Sequence, residues 1–181
     1  MFIDINCQNS TKVGVIVCNR GGGSMLLDEY EISSATQAIV PLGEDTAMVY
    51  EEEGEYVVSK SANDIINYNC NFYGSSYHGR CDGTRKLLGF RAKLPIIIEE
   101  SRNIIFFPTT SVRNKQSTWI ALNKIKSYHQ NEKNSYIIFT DGRKVDFDIS
   151  KYSLENQYCR AIMLKSILNE RKLANKKSKE K

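Results

Sequence analysis

The residues best suited to covalent chemistry are the serines and histidine of a glycine-rich segment, Gly74-Ser75-Ser76-Tyr77-His78-Gly79. A hydrolase nucleophile elbow needs G-x-S-x-G, with the serine on a sharp turn between a strand and a helix. Here His78 stands where the second glycine is required, and the residues before the segment favour a helix. The second histidine, His129, falls in a polar segment that we expect to be exposed. The sequence therefore predicts no hydrolase.

The sequence gives no support for metal binding, phosphate binding or acid–base catalysis either. The five cysteines, at positions 7, 18, 70, 81 and 159, form no C-x-x-C pair, whereas structural zinc usually takes closely spaced ligand pairs. The run Gly21-Gly22-Gly23 lacks the lysine of a phosphate-binding loop. The acidic clusters at 51–53 and 99–100 are sequence neighbours on a predicted turn and strand end, where solvation explains them. We therefore predict no enzyme, no metal and no cofactor.

The distribution of charge indicates a polyanionic partner. Residues 1–60 contain 3 Lys/Arg and 10 Asp/Glu, whereas residues 61–181 contain 22 and 11, and the whole chain carries +4. A basic segment of this kind favours nucleic acid. Two alternatives stay open on charge alone: a basic surface with no ligand, and a basic face for an acidic protein partner.

The elements that would position these residues are mostly strands. Alternating or β-branched apolar residues predict strands or hairpins over residues 30–42, 47–58, 86–99, 104–107, 119–128 and 136–149. In the last of these, Asp141-Gly142 is the pair preferred by a two-residue type I′ turn. After that turn, Val145, Phe147 and Ile149 alternate with aspartates, which predicts one buried face.

Two helices are expected. Ser61 is a suitable N-cap for a short helix ending near Phe72, with Ile65, Ile66 and Phe72 on its buried side. Ser153 is the expected cap of a C-terminal helix ending near Leu173. The stretch between the first helix and residue 86 has glycines at 74, 79 and 83 and predicts an ordered loop. No helix-turn-helix pair is therefore expected.

These elements predict a single α+β domain, mostly antiparallel β-sheet with a short internal helix and a C-terminal helix. The domain covers residues 30–173, between an N-terminal extension (1–29) and a basic, disordered tail (174–181). No apolar run approaches the ~20 residues that cross a bilayer, so we expect a cytoplasmic protein.

Two segments carry a resemblance to a known family. CNFYGSSYHGR (residues 70–80) and ISKYSLENQYCR (149–160) resemble the most recognisable stretches of the ComK family of competence regulators. Between them KLPIIIEE, IFFPT and Trp119-Ile120 follow in the order and spacing of that family, and YEISSATQAIVPL resembles its first strand. The resemblance runs from about Tyr30 to Arg171.

The resemblance implies a transcription activator of DNA-uptake genes that binds paired AT-rich boxes as a homo-oligomer, largely from the minor groove. It also implies an adaptor of a cytoplasmic protease as a further partner, and association with the nucleoid. A narrow A·T minor groove attracts inserted Arg and Lys side chains. The candidate DNA-binding residues are therefore basic residues of the glycine-rich segment and of the chain that follows it: Arg80, Arg85, Lys86, Arg91, Lys93, Arg113 and Lys115.

The start of the chain suggests a different initiation site. Residues 1–24 lie outside the resemblance and end in Arg20-Gly21-Gly22-Gly23-Ser24, directly before Met25. Every glycine codon begins with GG, so this run fits a ribosome-binding site upstream of an ATG codon. We expect translation to begin at Met25, with a genuine strand over residues 12–18 as the alternative. The intact mass of the native protein distinguishes the two.

Overall fold

The computed structural model describes residues 14–17, 24–113 and 116–179. Within them the larger sheet has eight strands, in chain order β1 (Gly14–Val17), β2 (Ser24–Leu27), β3 (Thr36–Pro41), β4 (Ala47–Glu51), β5 (Gly54–Val58), β6 (Ile96–Glu99), β7 (Ile104–Pro108) and β8 (Trp119–Ala121). The smaller sheet has three strands, β9 (Ile125–Asn131), β10 (Asn134–Phe139) and β11 (Lys144–Phe147). The helices are α1 (Ala62–Phe72), α2 (Tyr77–Leu88) and α3 (Lys151–Lys179). The predicted α+β class, with a mostly antiparallel sheet and a C-terminal helix, is confirmed.

Strand β3 joins the two halves of the large sheet. The strands lie in the order β1-β2-β5-β4-β3-β8-β7-β6, and only the pairing of β2 with β5 is parallel. On β3, Ile39 lies opposite Val49 on one side and Trp119 on the other. All three side chains are completely buried. The meander of β3, β4 and β5 is therefore fixed to strands that come much later in the chain.

The large sheet separates two hydrophobic cores. Along β7 the side chains alternate, with Ile104 and Phe106 in the first core and Ile105 and Phe107 in the second. The helix α1 contributes Ile65, Ile66 and Cys70 to the first core. The helix α3 and the smaller sheet close the second core, through residues Ile137, Phe139, Phe147, Leu154, Ala161, Leu164 and Leu168. An unbroken apolar run such as 104–107 is what a strand buried on both faces requires.

The helix α1 begins as predicted. Ser61 is its N-cap, and the Ser61 Oγ accepts a hydrogen bond from the Asp64 N–H at 3.1 Å. Ile65 and Ile66 are buried as expected, but the prediction for Phe72 was wrong, since 52% of it is exposed. Phe72 is the last residue of α1, where its ring packs on Tyr68 and Tyr73 at the surface.

The segment before β3 is not a strand, although we predicted one from residue 30. Asn69 of α1 holds it instead: its Oδ1 accepts from the Ile32 N–H at 2.7 Å, and its Nδ2 donates to the Tyr30 carbonyl at 2.8 Å. The Tyr73 hydroxyl donates to the Ile32 carbonyl at 3.0 Å. Side chains of α1 and of its C-cap residue Tyr73 thus take the place of a neighbouring strand until β3 begins at Thr36.

Two further strand predictions were too long. Of residues 86–99, the first three are the last residues of α2, and only Ile96–Glu99 forms a strand. The predicted strand 119–128 is divided by a single 3₁₀ turn at Leu122–Lys124 into β8 and β9, which belong to different sheets. A chain that passes from one sheet to another must be interrupted between its two strands, and the apolar pattern of residues 119–128 does not show this interruption.

The hairpin between β10 and β11 is present, but its predicted two-residue turn was wrong. Phe139 pairs with Arg143 through an N–H to carbonyl bond of 2.9 Å, which leaves a three-residue loop at 140–142. Gly142 has φ of 90°, whereas Asp141 is not among the residues with positive φ. A type I′ turn needs positive φ at both central residues, and a three-residue loop needs it only at the glycine. Phe147 and Ile149 are buried and Asp146 and Asp148 exposed, as predicted.

The C-terminal helix starts earlier and ends later than predicted. The Ser153 N–H donates to the Ser150 Oγ at 3.3 Å, so Ser150 rather than Ser153 takes the capping role. The helix continues to Lys179, beyond the expected end at Leu173. None of the helices in the described part of the chain is both long and apolar enough to cross a membrane.

At the start of the described chain, β1 pairs with β2 in antiparallel fashion. The strand β1 lies inside the segment 12–18 that we named as the alternative to an untranslated leader. Residues 12, 13 and 18 lie outside the described residues.

Phe147→Ala should remove about 3–5 kcal/mol of stability, because the ring is 5% exposed and packs in the second core. Urea unfolding followed by the fluorescence of the buried Trp119 measures the change. Tyr152→Ala is the matched control, since that ring is 76% exposed and its truncation should leave the midpoint nearly unchanged. Equal midpoints for Phe147→Ala and the wild type would contradict the assignment.

Candidate nucleic-acid interface

The glycine-rich segment that we predicted as a loop is the helix α2. Ser76 caps its start by accepting from the Gly79 N–H at 3.0 Å, and Gly89 ends it with φ of 73°. Of the three glycines behind that prediction, only Gly74, with φ of 77°, lies in a turn. The helices α1 and α2 therefore follow one another across residues 73–76, so the expectation of a loop in this stretch was wrong. Burial of Cys81 and Thr84 compensates for the low helix propensity of Gly79 and Gly83.

Arg80 is turned inward from α2. It is partly buried, and its Nη2 donates to the Tyr73 carbonyl at 3.1 Å, at the end of α1. Cations at a helix C-terminus stabilise the free carbonyls there. Arg80 thus ties α2 to α1, and its assignment to DNA stays a prediction.

Arg85 and Lys86 are exposed in the last turn of α2. Arg85 forms an ion pair with Asp82, one turn earlier on the helix, and both side chains are largely exposed. Lys86 makes no ion pair with a described residue. The last turn of α2 therefore presents positive charge to solvent beside the loop that follows.

Arg91 and Lys93 lie in the loop 89–95, where the structure brings them together with Arg160 of α3. All three line one cavity of about 320 Å³. The Arg160 guanidinium lies 4.2 Å from the centre of the Phe90 ring, and its Nη1 donates to the Ala92 carbonyl at 3.1 Å. We missed Arg160 from the sequence, although the segment 149–160 that carries the family resemblance ends on it.

The last two candidates lie elsewhere. Arg113 is exposed in the connection 109–118, and Lys115 lies outside the described residues. The neighbouring Val112 carbonyl accepts from Asn63 Nδ2 at 3.0 Å, which holds Val112 against the first turn of α1. No contact among the described residues joins Arg113 to the other candidate cations.

The cysteines of the described chain are free thiols. Cys70 and Cys81 are buried in the first core, and Cys159 is exposed on α3. Burial raises the pKa of the Cys70 thiol to about 11, against the opposing effect of Arg80. Burial likewise raises the pKa of Cys81. No group of three or more His, Cys, Asp or Glu side chains within residues 14–17, 24–113 and 116–179 is placed to hold a metal.

The described chain is thus an α+β domain that displays cations on a helix end and the adjoining loop, an arrangement typical of nucleic-acid-binding proteins. The chain belongs to the ComK protein family, whose sequence pattern matches residues 27–173. It is 31% identical over 149 residues to the competence transcription factor of Bacillus subtilis (strain 168), a match that covers 80% of this chain and 78% of that protein. No solved structure gives a significant match. The resemblance inferred from two short segments is therefore confirmed.

Arg80→Ala should lower the free energy of unfolding by about 1–2 kcal/mol, because it removes a charged donor from the Tyr73 carbonyl. Arg85→Ala should change it by less than about 0.5 kcal/mol, since its ion pair with Asp82 is exposed. Urea midpoints of the two variants test this difference. A larger loss for Arg85→Ala than for Arg80→Ala would contradict the assigned roles.

Gly83→Ala should stabilise the free protein by about 0.5–1 kcal/mol. A Cβ built on Gly83 meets nothing within 4 Å, so alanine fits and favours the helix. Gly74→Ala is the matched control, because its φ of 77° strains any side chain and the change should destabilise. Thermal unfolding distinguishes the two, and destabilisation by Gly83→Ala would show that α2 needs glycine at this position for its own packing.

Proposed function

We propose that this chain is a competence transcription factor that binds AT-rich promoter DNA through one basic surface. That surface, the α2–loop surface, consists of Arg85, Lys86, Arg91, Lys93 and Arg160. The observation that carries the proposal is that the last four of these residues make no ion pair with any described residue. The identity of 31% to the competence transcription factor of Bacillus subtilis supports the same role.

Three cations elsewhere in the domain are neutralised by carboxylates. Lys60 pairs with Glu29 at 3.0 Å, Lys124 with Glu52 at 2.6 Å, and Arg143 with Glu55 at 3.1 Å. The carboxylates of these pairs all come from the acidic residues 1–60, so the acidic part of the chain neutralises structural cations. The α2–loop surface keeps its positive charge, and neutralising DNA phosphates there would release counterions.

The proposal includes AT selectivity through the minor groove. Arginine inserted into a narrow A·T-rich groove gains from its negative potential without reading individual base edges. Arg85 and Arg91 are exposed guanidinium groups that suit such insertion. A role for Arg113 and Lys115 beside the same DNA belongs to the proposal as well.

The proposal further includes action as a homo-oligomer on paired boxes, in the cytoplasm at the nucleoid, and recognition by an adaptor of a cytoplasmic protease. Exposed apolar side chains along α3 offer area for contacts between copies: Tyr152, Ile162, Met163 and Leu173. A role in binding, without a catalytic step, is part of the same proposal.

Fluorescence anisotropy with AT-rich and GC-rich duplexes over a salt series tests the proposal. The wild type should prefer the AT-rich duplex, and log affinity should fall linearly with log salt. Replacing Lys86, Arg91 and Lys93 together by alanine should lower the slope by roughly 0.9 for each phosphate that the variant no longer neutralises. Lys126→Ala with Lys133→Ala is the control, because Lys126 is exposed on β9 and Lys133 is exposed in the turn between β9 and β10.

The outcomes separate the parts of the proposal. Equal affinity for the two duplexes would remove the minor-groove element and leave non-specific DNA binding. An unchanged slope for the triple variant would place the interface on another surface. Lack of binding to any duplex would favour the alternative from the sequence, a module whose basic face takes an acidic protein partner.

A further inference from the structure

One cavity gathers the polar residues of the segment ISKYSLENQYCR. Ser153, Asn156, Gln157 and Arg160 all line it, on successive turns at the start of α3. Glu155, the acid within this stretch, lies elsewhere and accepts from the Tyr128 hydroxyl at 3.2 Å. The polar face of this segment is therefore directed at the cavity, and its carboxylate is not.

The opposite wall of the cavity is the loop 89–95. Arg91 and Lys93 line it, and Lys93 has φ of 52°, in the left-handed region that side chains other than glycine rarely adopt. Arg160 bonds the Ala92 carbonyl between these two residues and stacks on Phe90. The loop is thus held against α3 in a strained conformation, with a cation on either side of the residue that anchors it. Strain of this kind persists where surrounding contacts maintain it.

Gln157 is the buried polar group of this cavity. It is 4% exposed, and its Oε1 is buried without a hydrogen-bond partner among the described residues. Leaving a buried amide oxygen unsatisfied destabilises the folded state. The amide oxygen and nitrogen exchange places by a rotation of 180°, so the Gln157 side chain can offer either an acceptor or a donor.

The chemistry of the lining selects an anion. None of the eight described residues around the cavity is acidic, and three of them are cationic. Hydroxyl and amide groups add donors of the kind that bind phosphate oxygens. The cavity volume of about 320 Å³ exceeds the needs of a single ion and accommodates a phosphate with part of its sugar.

We propose that this cavity seats one phosphate group of the DNA backbone, held by Arg91 and Lys93 from the loop and by Gln157 from α3. The proposal rests on the DNA-binding function proposed above and extends it from a charged surface to a defined subsite. Contacts to phosphate fix the register and orientation of a protein on the duplex. A phosphate bound in the cavity thereby fixes the orientation of the neighbouring Arg85 and Lys86 relative to the DNA groove.

Two substitutions of Gln157 test the proposed phosphate site. Gln157→Glu should weaken binding to an AT-rich duplex by roughly tenfold or more, because a carboxylate repels the phosphate. Gln157→Leu should weaken binding about fivefold or more, while the urea midpoint of the free protein stays level or rises. A lower midpoint with unchanged DNA affinity would show that Gln157 serves the fold alone and would overturn the proposal.

Gln130→Glu is the matched control for charge. Gln130 is exposed on β9, where its Nε2 bonds the Glu132 carbonyl at 3.0 Å. The change in net charge equals that of Gln157→Glu, so a general electrostatic effect would weaken both variants alike. Similar losses in the two would overturn the seat, whereas a loss confined to Gln157→Glu supports it.

Neutral methylphosphonate linkages, introduced one at a time into the duplex, identify the seated phosphate. At one position in each AT-rich box the linkage should weaken binding by the wild type and have little further effect on binding by Lys93→Ala or Gln157→Leu. If every linkage weakens the variants as much as the wild type, these residues hold no phosphate of the duplex.

Free phosphate compounds form the last arm of the test. Inorganic phosphate and AMP at millimolar concentration should leave the melting temperature of the wild type nearly unchanged. Stabilisation by AMP that Gln157→Glu abolishes, with DNA affinity intact in that variant, would assign the cavity to a free nucleotide and overturn the DNA source. A wild type that binds no duplex would instead remove the proposed function itself.

Discussion

Burial of the central sheet on both of its faces is the constraint on which the rest of the structure depends. The strand β7 has no exposed side, because Ile104 and Phe106 face one core while Ile105 and Phe107 face the other. A sheet with two apolar faces needs a cover on each. The helices α1 and α2 supply the first cover, and α3 with the smaller sheet supplies the second. Each cover is stable only because the sheet beneath it is held in place by the other.

The α2–loop surface depends on both covers at once. The start of α2 packs in the first core through Tyr77 and Cys81, whereas its end packs in the second through Leu87 and Leu88. The helix therefore passes around β6, the strand at the edge of the large sheet. The loop 89–95 follows at this edge, where it meets the start of α3. The cations of the α2–loop surface lie together there because this one segment of chain packs against both cores.

Local signals in the sequence were sufficient for elements whose ends are fixed locally. The Ser61 cap, the hairpin of β4 and β5 and the alternation around Phe147 were predicted correctly, as was the family from two short motifs. The helix α2 was missed because Gly79 and Gly83 lower helix propensity, and the compensating burial of Cys81 and Thr84 is visible only in three dimensions. The inward turn of Arg80 and the part played by Arg160 were missed for a similar reason, since both depend on partners distant from their immediate sequence neighbours.

The pairing of β3 with β8 also governs how the chain can be made. Ile39 pairs with Trp119, which is synthesised 80 residues later, so the large sheet can form completely only after that point. The second core forms later still, because α3 is the last element of the described chain. Until it emerges from the ribosome, Ile105, Phe107 and Ile120 lack the part of their cover that α3 contributes, and nascent or prematurely terminated chains present them to chaperones and proteases. The cell thus receives a functional molecule only from a chain synthesised through its final helix.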